Sequence, residues 1–354
     1  MKNARRITAT LTTLGLAMAM LAGCASGSAS ATGTDDLGSL RLGYFATVTH
    51  TPALVGVQEG ILQKDLGSTK LETQVFNAGP AAVEALTAGA IDAAYIGPNP
   101  AINTFIKSGG ASAHVIAGAT SGGAALVVRD GISSAADLKG RTLASPQLGN
   151  TQDVALRTWL AGQGLKTTTS GDGDVKITPT ENAQTLTLFQ KGQVDGAWLP
   201  EPWASRLVLD AGAHVLVDER DLWPDGRFPT TVLLVRADFA KEHPAAVEKL
   251  LRGHLDSLDW IAKNPAQVPA TVNAVLKTAT GKALDDAVLA RALGTVTFSA
   301  DPDAAAFRTL IDNGITAGTQ TKGSIDGLFD LTALNRLLAA DGKPAVDDAG
   351  LGPR

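Results

Sequence analysis

The chain has 354 residues, 44% of them apolar, with 38 glycines and a mean hydropathy of +0.09. That length suits about two domains, and the composition fills cores without making a polytopic membrane protein. Net charge is −5, three cations lie in residues 1–23, and the rest therefore carries −8 with its basic residues scattered, which excludes the footprint of a nucleic-acid binder.

Lys2, Arg5 and Arg6 precede ITATLTTLGLAMAMLAG, which is too short and too rich in threonine to span a bilayer. Small residues then lead to Cys24, the only cysteine in the chain. Residues 1–23 resemble a bacterial lipoprotein signal, cleaved before Cys24, which then takes the lipid; they are set aside from the fold. No disulfide framework is left. Acyl chains contribute roughly 0.8 kcal/mol per buried methylene, so more than one gives lasting attachment. Residues 24–38 (CASGSASATGTDDLG) have no hydrophobic period and read as a flexible tether. No later stretch reaches the ~18 apolar residues of a membrane span. The expected location is the outer face of the cytoplasmic membrane or the periplasm, held by lipid.

From residue 39 the chain reads as one unit written twice. SLRLGYFATVTHTPALVGVQEG (residues 39–60) has a strand, a polar loop and a helix, and GRTLASPQLGNTQDVALRTWLAGQG (140–164) repeats it with Arg141 opposite Arg41. LETQVFNAGPAAVEALTAG (71–89) is answered by KITPTENAQTLTLFQKG (176–192). GAIDAAYIGPNP (89–100) is answered by GQVDGAWLPEPW (192–203), with Asp92 and Asp195 in step. Short aliphatic strands alternating with helical patterns predict βαβ units in two α/β lobes.

The lobe boundaries repeat as well. GGAALVVRDGISSAADLKG (122–140) and FPTTVLLVRADFAKEHP (228–244) each run from an apolar strand through an Arg and an Asp into a helix. Read as two hinge crossovers, they assign residues 39–125 with 232–354 to lobe 1 and residues 126–231 to lobe 2. A helix from Pro244 follows, its stripe formed by Val247, Leu250, Leu251, Leu255, Leu258 and Ile261, with Pro265 just past its end. Further helices reach about Leu338, and the last residues, DGKPAVDDAGLGPR, read as frayed.

Ligands of open α/β sheets bind beyond the carboxyl ends of the strands. Two facing lobes bring four such loops together: Thr49-His50-Thr51, Gly97 to Asn99, Asn150-Thr151-Gln152, and Glu201 to Trp203. Their groups are mostly neutral hydrogen bonders standing before helices, where unpaired amides and the dipole suit an anion. Singly, Thr51, Thr151 and Asn150 read as helix caps; arriving twice at facing positions, the set points to binding. Trp203 suits the wall of an organic tail, whereas Trp198 lies within the strand pattern and reads as core. Glu201 either meets an ammonium or hydroxyl on the ligand or holds backbone amides. Asp92 and Asp195, in separate lobes, read as capping or turning residues.

The stretches THTPALVG, FNAGPAAVEALTAGAIDAAYIGPNPA, ADLKGRTLASPQLGNTQDVALRTWL, DGAWLPEPWA and FAKEHP resemble the solute-binding proteins of ABC importers, on the branch for aliphatic sulfonates, taurine and nitrate. The resemblance runs closely over residues 40–265. It implies a two-lobed periplasmic-binding-protein fold of type II with two hinge crossovers, each lobe a mixed, mainly parallel sheet flanked by helices. It also implies a monomer that closes on a small anionic solute, most readily an alkanesulfonate or taurine, and delivers it to permease and ATPase subunits. Its binding loops map onto the four loops above; one departure is Thr49-His50-Thr51, where many sulfonate binders carry a glutamine. Nitrate, bicarbonate and a thiamine precursor stay open as solutes, and a sensory lipoprotein or an enzyme as other classes on the same fold. GxSxG, HExxH, CxxC and GxxxxGK[ST] are absent, and the five histidines are dispersed, so no enzyme, metal or cofactor is expected.

Overall fold

The computed structural model describes residues 37–353; the signal, Cys24 and nearly all of the tether lie outside them. The first stretch runs β1 (Ser39–Phe45), α1 (Thr51–Gln58), α2 (Ile61–Leu66), β2 (Lys70–Phe76), α3 (Gly79–Thr87), β3 (Ala93–Ile96), α4 (Pro98–Lys107) and β4 (Ala113–Gly122). The second runs β5 (Ala124–Val128), β6 (Thr142–Ser145), α5 (Thr151–Gly162), β7 (Lys176–Pro179), α6 (Asn182–Gln190), β8 (Gly196–Pro200), α7 (Trp203–Ala211) and β9 (His214–Asp218). The third runs β10 (Pro229–Arg236), α8 (Ala237–Glu242), α9 (Pro244–Lys263), α10 (Val268–Thr280), α11 (Asp286–Leu293), β11 (Val296–Phe298), α12 (Ala306–Thr316) and α13 (Thr332–Ala340). None of the described helices is long and apolar enough to cross a membrane.

The strands form two sheets, β11-β4-β10-β3-β1-β2 and β7-β6-β8-β5-β9. Read from β4 and from β9, the two orders match place for place: β10 with β5, β3 with β8, β1 with β6, β2 with β7. Each sheet is mixed. β1 pairs in parallel with β2 and β3, as β6 does with β7 and β8. β10 and β5 run antiparallel to both of their neighbours. Gly122 and Gly123 join β4 to β5 with φ of 83° and 77°, a backbone that only glycine adopts without strain. The chain therefore swings from one sheet to the other within two residues, and it returns between Asp218 and Pro229.

Both sheets are clamped alike. Asp92 accepts from the Arg41 amide (2.9 Å) and Arg41 Nε (3.0 Å), and it pairs with Arg236 (3.4 Å) at the end of β10. Asp195 accepts from the Thr142 amide (2.9 Å) and pairs with Arg129 (3.3 Å) at the end of β5 and Arg141 (3.7 Å). The repeated aspartates thus lock the same ends of the central strands of each sheet with two guanidiniums. Above the clamps β3 and β8 are buried throughout, Trp198 among them, which suits short uninterrupted apolar runs. In α9, Val247, Leu250, Leu251, Leu255 and Ile261 are buried, and Leu258 packs partly against the same core.

The end of the chain departs from the frayed tail read from its sequence. Leu351 is fully buried, and its carbonyl accepts from the amides of Gly327 (3.0 Å) and Phe329 (3.2 Å). Asn335 also exchanges hydrogen bonds with Val346. One leucine and a few backbone bonds order a stretch whose composition shows no period.

Candidate functional site

Six helices begin where strands of the two sheets end: α1, α3 and α4 after β1, β2 and β3, and α5, α6 and α7 after β6, β7 and β8. In none does the N-cap side chain bond the first turn. Side chains outside the caps take first-turn amides of α3 and α7, from Gly79 to Asn150 and from Ser205 to Glu201, and the other positive helix ends are open to other acceptors. Pro98 and Pro100 leave α4 with fewer amides to offer.

The loops between them enclose a cavity of about 20 Å³, lined by Thr47, Thr49, His50, Asn77 and Gly97 from the first sheet's loops, and by Asn150, Thr151, Gln152 and Asn182 from the second's, with Phe45, Pro200 and Thr230. Apart from His50 no lining side chain can carry charge. His50 packs tilted against Phe45 with ring centroids 4.4 Å apart, and its Nδ1 lies 3.1 Å from Thr47 Oγ1 and 3.2 Å from Thr49 Oγ1. Burial pushes the imidazole down to about 3, with the Tyr95 backbone carbonyl offsetting part of this. The ring is neutral at pH 7 and serves as a hydrogen bonder, not as a counter-ion. His50 Nε2, Thr151 Oγ1 and Asn182 Oδ1 are buried without a well-formed hydrogen bond.

The two rims also touch. The Gly79 amide, in the first turn of α3, donates to Asn150 Oδ1 (3.2 Å), and Asn77 Nδ2 donates to Glu181 Oε1 (3.1 Å). Asn150, read as a cap of α5, thus accepts from a helix of the opposite sheet, while its Nδ2 donates to Gln152 Oε1 (3.2 Å). Gly97 faces Thr151 so closely that a Cβ at Gly97 would overlap Thr151 Oγ1.

The structure brings Thr49, His50, Gly97, Asn150, Thr151 and Gln152 to one cavity and places the other expected residues around it. Thr51 is buried beside it, and its hydroxyl donates to the Val48 carbonyl (2.7 Å). Asn99 donates to the Leu310 carbonyl (3.2 Å) and lines a neighbouring pocket of about 240 Å³ that also has Thr151 in its wall. Glu201 accepts from the Ser205 amide (3.0 Å) and pairs with Arg291 (3.2 Å); burial raises its pKa, opposed by Ser205 and Arg291. Of the two roles read for Glu201, this is the one that holds backbone amides. Trp203 lines a third pocket, of about 320 Å³, together with Thr47, Asn77 and Asn182. Those three residues were missed in the sequence, which writes no shared signal for them: Asn77 stands just before the cap of α3, whereas Asn182 is the first residue of α6. A larger cavity of about 710 Å³ lies along β4, β10 and β11; it is lined by Arg227 and Asp301, which pair with each other, and by none of the expected loops.

Two mixed sheets flanked by helices, with strand-end loops meeting at one polar cavity, define the fold of the periplasmic binding proteins. The alkanesulfonate-binding protein SsuA from Xanthomonas axonopodis pv. citri, solved bound to MOPS, superposes with a TM-score of 0.68 at 23% identity, covering 80% of this chain and 95% of that one. The nitrate-binding protein NrtA from Synechocystis PCC 6803 superposes at 0.71 and 16% identity, covering 88% and 92%. The chain belongs to the NMT1-like family, whose model matches residues 33–276. Among curated relatives, a Brucella abortus (strain 2308) chain named as a binding protein is 28% identical over 236 residues, 64% of this chain and 68% of that one. The taurine-binding periplasmic protein of Escherichia coli (strain K12) is 27% identical over 217 residues, 60% of this chain and 64% of that one. The names these relatives carry are those of binding proteins, not enzymes.

Proposed function

We propose that this chain is the extracytoplasmic solute-binding component of an ABC importer, closing on a small organic anion, an alkanesulfonate or taurine, and delivering it to permease and ATPase subunits. Supporting this is the convergence of four helix starts, those of α1, α4, α5 and α6, on a cavity without charged walls. Amides and hydroxyls so placed stabilise an oxyanion without a full counter-charge, as helix N-termini do generally. The names of the taurine- and sulfonate-binding relatives agree with it.

The cavity's 20 Å³ is about one water's room and less than a sulfonate group fills. Binding therefore involves parting of the rims and reclosure, with residues 39–125 and 232–354 as one lobe and residues 126–231 as the other. A ligand favours the closed form only by its differential affinity for it, and the approach of Gly97 to Thr151 and of Gly79 to Asn150 supports a meeting of the rims at this place. Removal of residues 1–23 and lipidation at Cys24 would hold a monomer outside the cytoplasmic membrane. Nitrate or bicarbonate, small oxyanions named for other relatives of this chain, makes the second reading.

A thermal-shift panel on the full chain tests the proposal with ethanesulfonate, taurine, nitrate, bicarbonate and a thiamine pyrimidine precursor. Sulfonates should raise the melting temperature, and Thr151→Ala should lose most of the rise. A shift with nitrate or bicarbonate alone would select the second reading; no shift with any anion, or one unchanged in Thr151→Ala, would refute the site.

A further inference from the structure

Among the described residues, buried carboxylates generally have partners: Asp92 has two arginines, Asp153 has Arg157 at 3.0 Å, and Glu201 has Arg291. Glu219 differs. It is 2% exposed, its Oε2 accepts from Trp198 Nε1 (2.7 Å), and no cation lies within ion-pair distance. A carboxyl taken from water without a cation is costly.

Glu219 follows β9 directly. Asp218 pairs with Ala125 while Ala124 pairs with Pro200, so Glu219 sits at the same sheet edge that delivers the β8 loop to the cavity. It lines the pocket of about 240 Å³, which lies next to the cavity and shares Thr151 with it as a wall residue. Trp159 and Trp223 bound the pocket, and Leu222, 46% exposed, lies at its rim. Asn99 Oδ1 and Thr151 Oγ1 are buried in it without partners.

We propose that this pocket is a subsite for the cationic end of a zwitterionic solute: an alkylammonium joined by a short alkyl spacer to the sulfonate held by the helix N-termini. The inference rests on the preceding reading of the cavity. Indole faces attract an alkylammonium, and Glu219 supplies the charge the indoles lack. Burial pushes its pKa up to about 7, with Trp198 and Trp223 opposing and Asp218 adding to the rise. An arriving cation displaces any proton there to solvent, so charge balances without another protein group. The pocket beside Trp203 offers no such site, because Arg206 covers the Trp203 ring at 4.9 Å and Lys282 lines the wall.

Calorimetric titration of the full chain with 3-(trimethylammonio)propanesulfonate and its carbon isostere 4,4-dimethylpentanesulfonate, which keeps the sulfonate and lacks the cationic nitrogen, tests the subsite. The wild-type chain should prefer the ammonium by about tenfold or more, and Glu219→Gln should abolish that preference. Leu222→Asp, at the exposed rim, should increase it and serves as the check if the Gln variant does not fold. Equal binding of the two ligands by wild type, a preference kept by Glu219→Gln, or no gain in Leu222→Asp overturns the subsite. Ethanesulfonate binding to the wild-type chain tests the cavity alone: present beside a failed preference, it sinks only the subsite; if absent, it sinks both.

Discussion

The two sheets share a scaffold and differ at their rims. Each has an aspartate clamping two arginines and a strand amide, with Asp92 2% exposed and Asp195 22% exposed. At the rim, the first sheet's loop spends its groups on itself, with Thr47 and Thr49 against His50. The second sheet's loop reaches outward, Asn150 bonding across to Gly79 and Thr151 keeping its hydroxyl unpaired. A duplicated framework can keep its clamps and still divide the work of binding, with one rim preset and the other left to complete its bonds on closure.

The largest expected effect breaks the meeting of the rims. Gly97 has φ of −68°, so alanine fits its backbone, yet the added Cβ meets Thr151. Gly97→Ala should weaken sulfonate binding by about 10–100-fold, the cost of overpacking a tight contact, with the melting temperature of the free protein little changed. Asn150→Ala removes one cross-rim bond and should cost about tenfold in affinity; Thr49→Ala, on the preset rim, should cost less. Both comparisons are read by calorimetric titration.

The scaffold comparison is sharpened by denaturant unfolding. Asp92→Asn should cost roughly 2–3 kcal/mol because it strands two guanidiniums beside a buried site. Asp195→Asn should cost roughly 1 kcal/mol, since its clamp is more open to water. Acid should also act through the first half. His50 and His254 are held neutral by burial, down to about 3 and about 4, whereas His214 of the second sheet is 43% exposed. Their folded values lie below the ordinary 6.5, so their stabilisation is complete above pH 6.5 and is lost progressively as pH falls toward 4 and then 3. Melting temperature against pH should show that decline, flattened in His254→Asn.

Much of this was legible because duplication writes itself locally. Arg41 with Arg141 and Asp92 with Asp195 stand in step along the chain, and the helix starts at His50-Thr51 and Asn150-Thr151 follow apolar strands by a few residues. What escaped depends on distance. Nothing near Glu201 announces Arg291, 90 residues on, which turns the carboxylate to an internal ion pair. Leu351 carries no period to mark it as core. Glu219 looks like one more acid in a charged turn, and only the fold around Trp198 and Trp223 shows it to be a buried carboxyl without a cation.

Small-angle scattering of the wild-type chain and Gly97→Ala, with and without saturating ethanesulfonate, tests most directly whether the rims close on a solute. The radius of gyration should fall on adding ligand to the wild-type chain and stay larger in Gly97→Ala. A wild-type radius that does not change while calorimetry records binding would contradict closure of the two lobes on a shared solute.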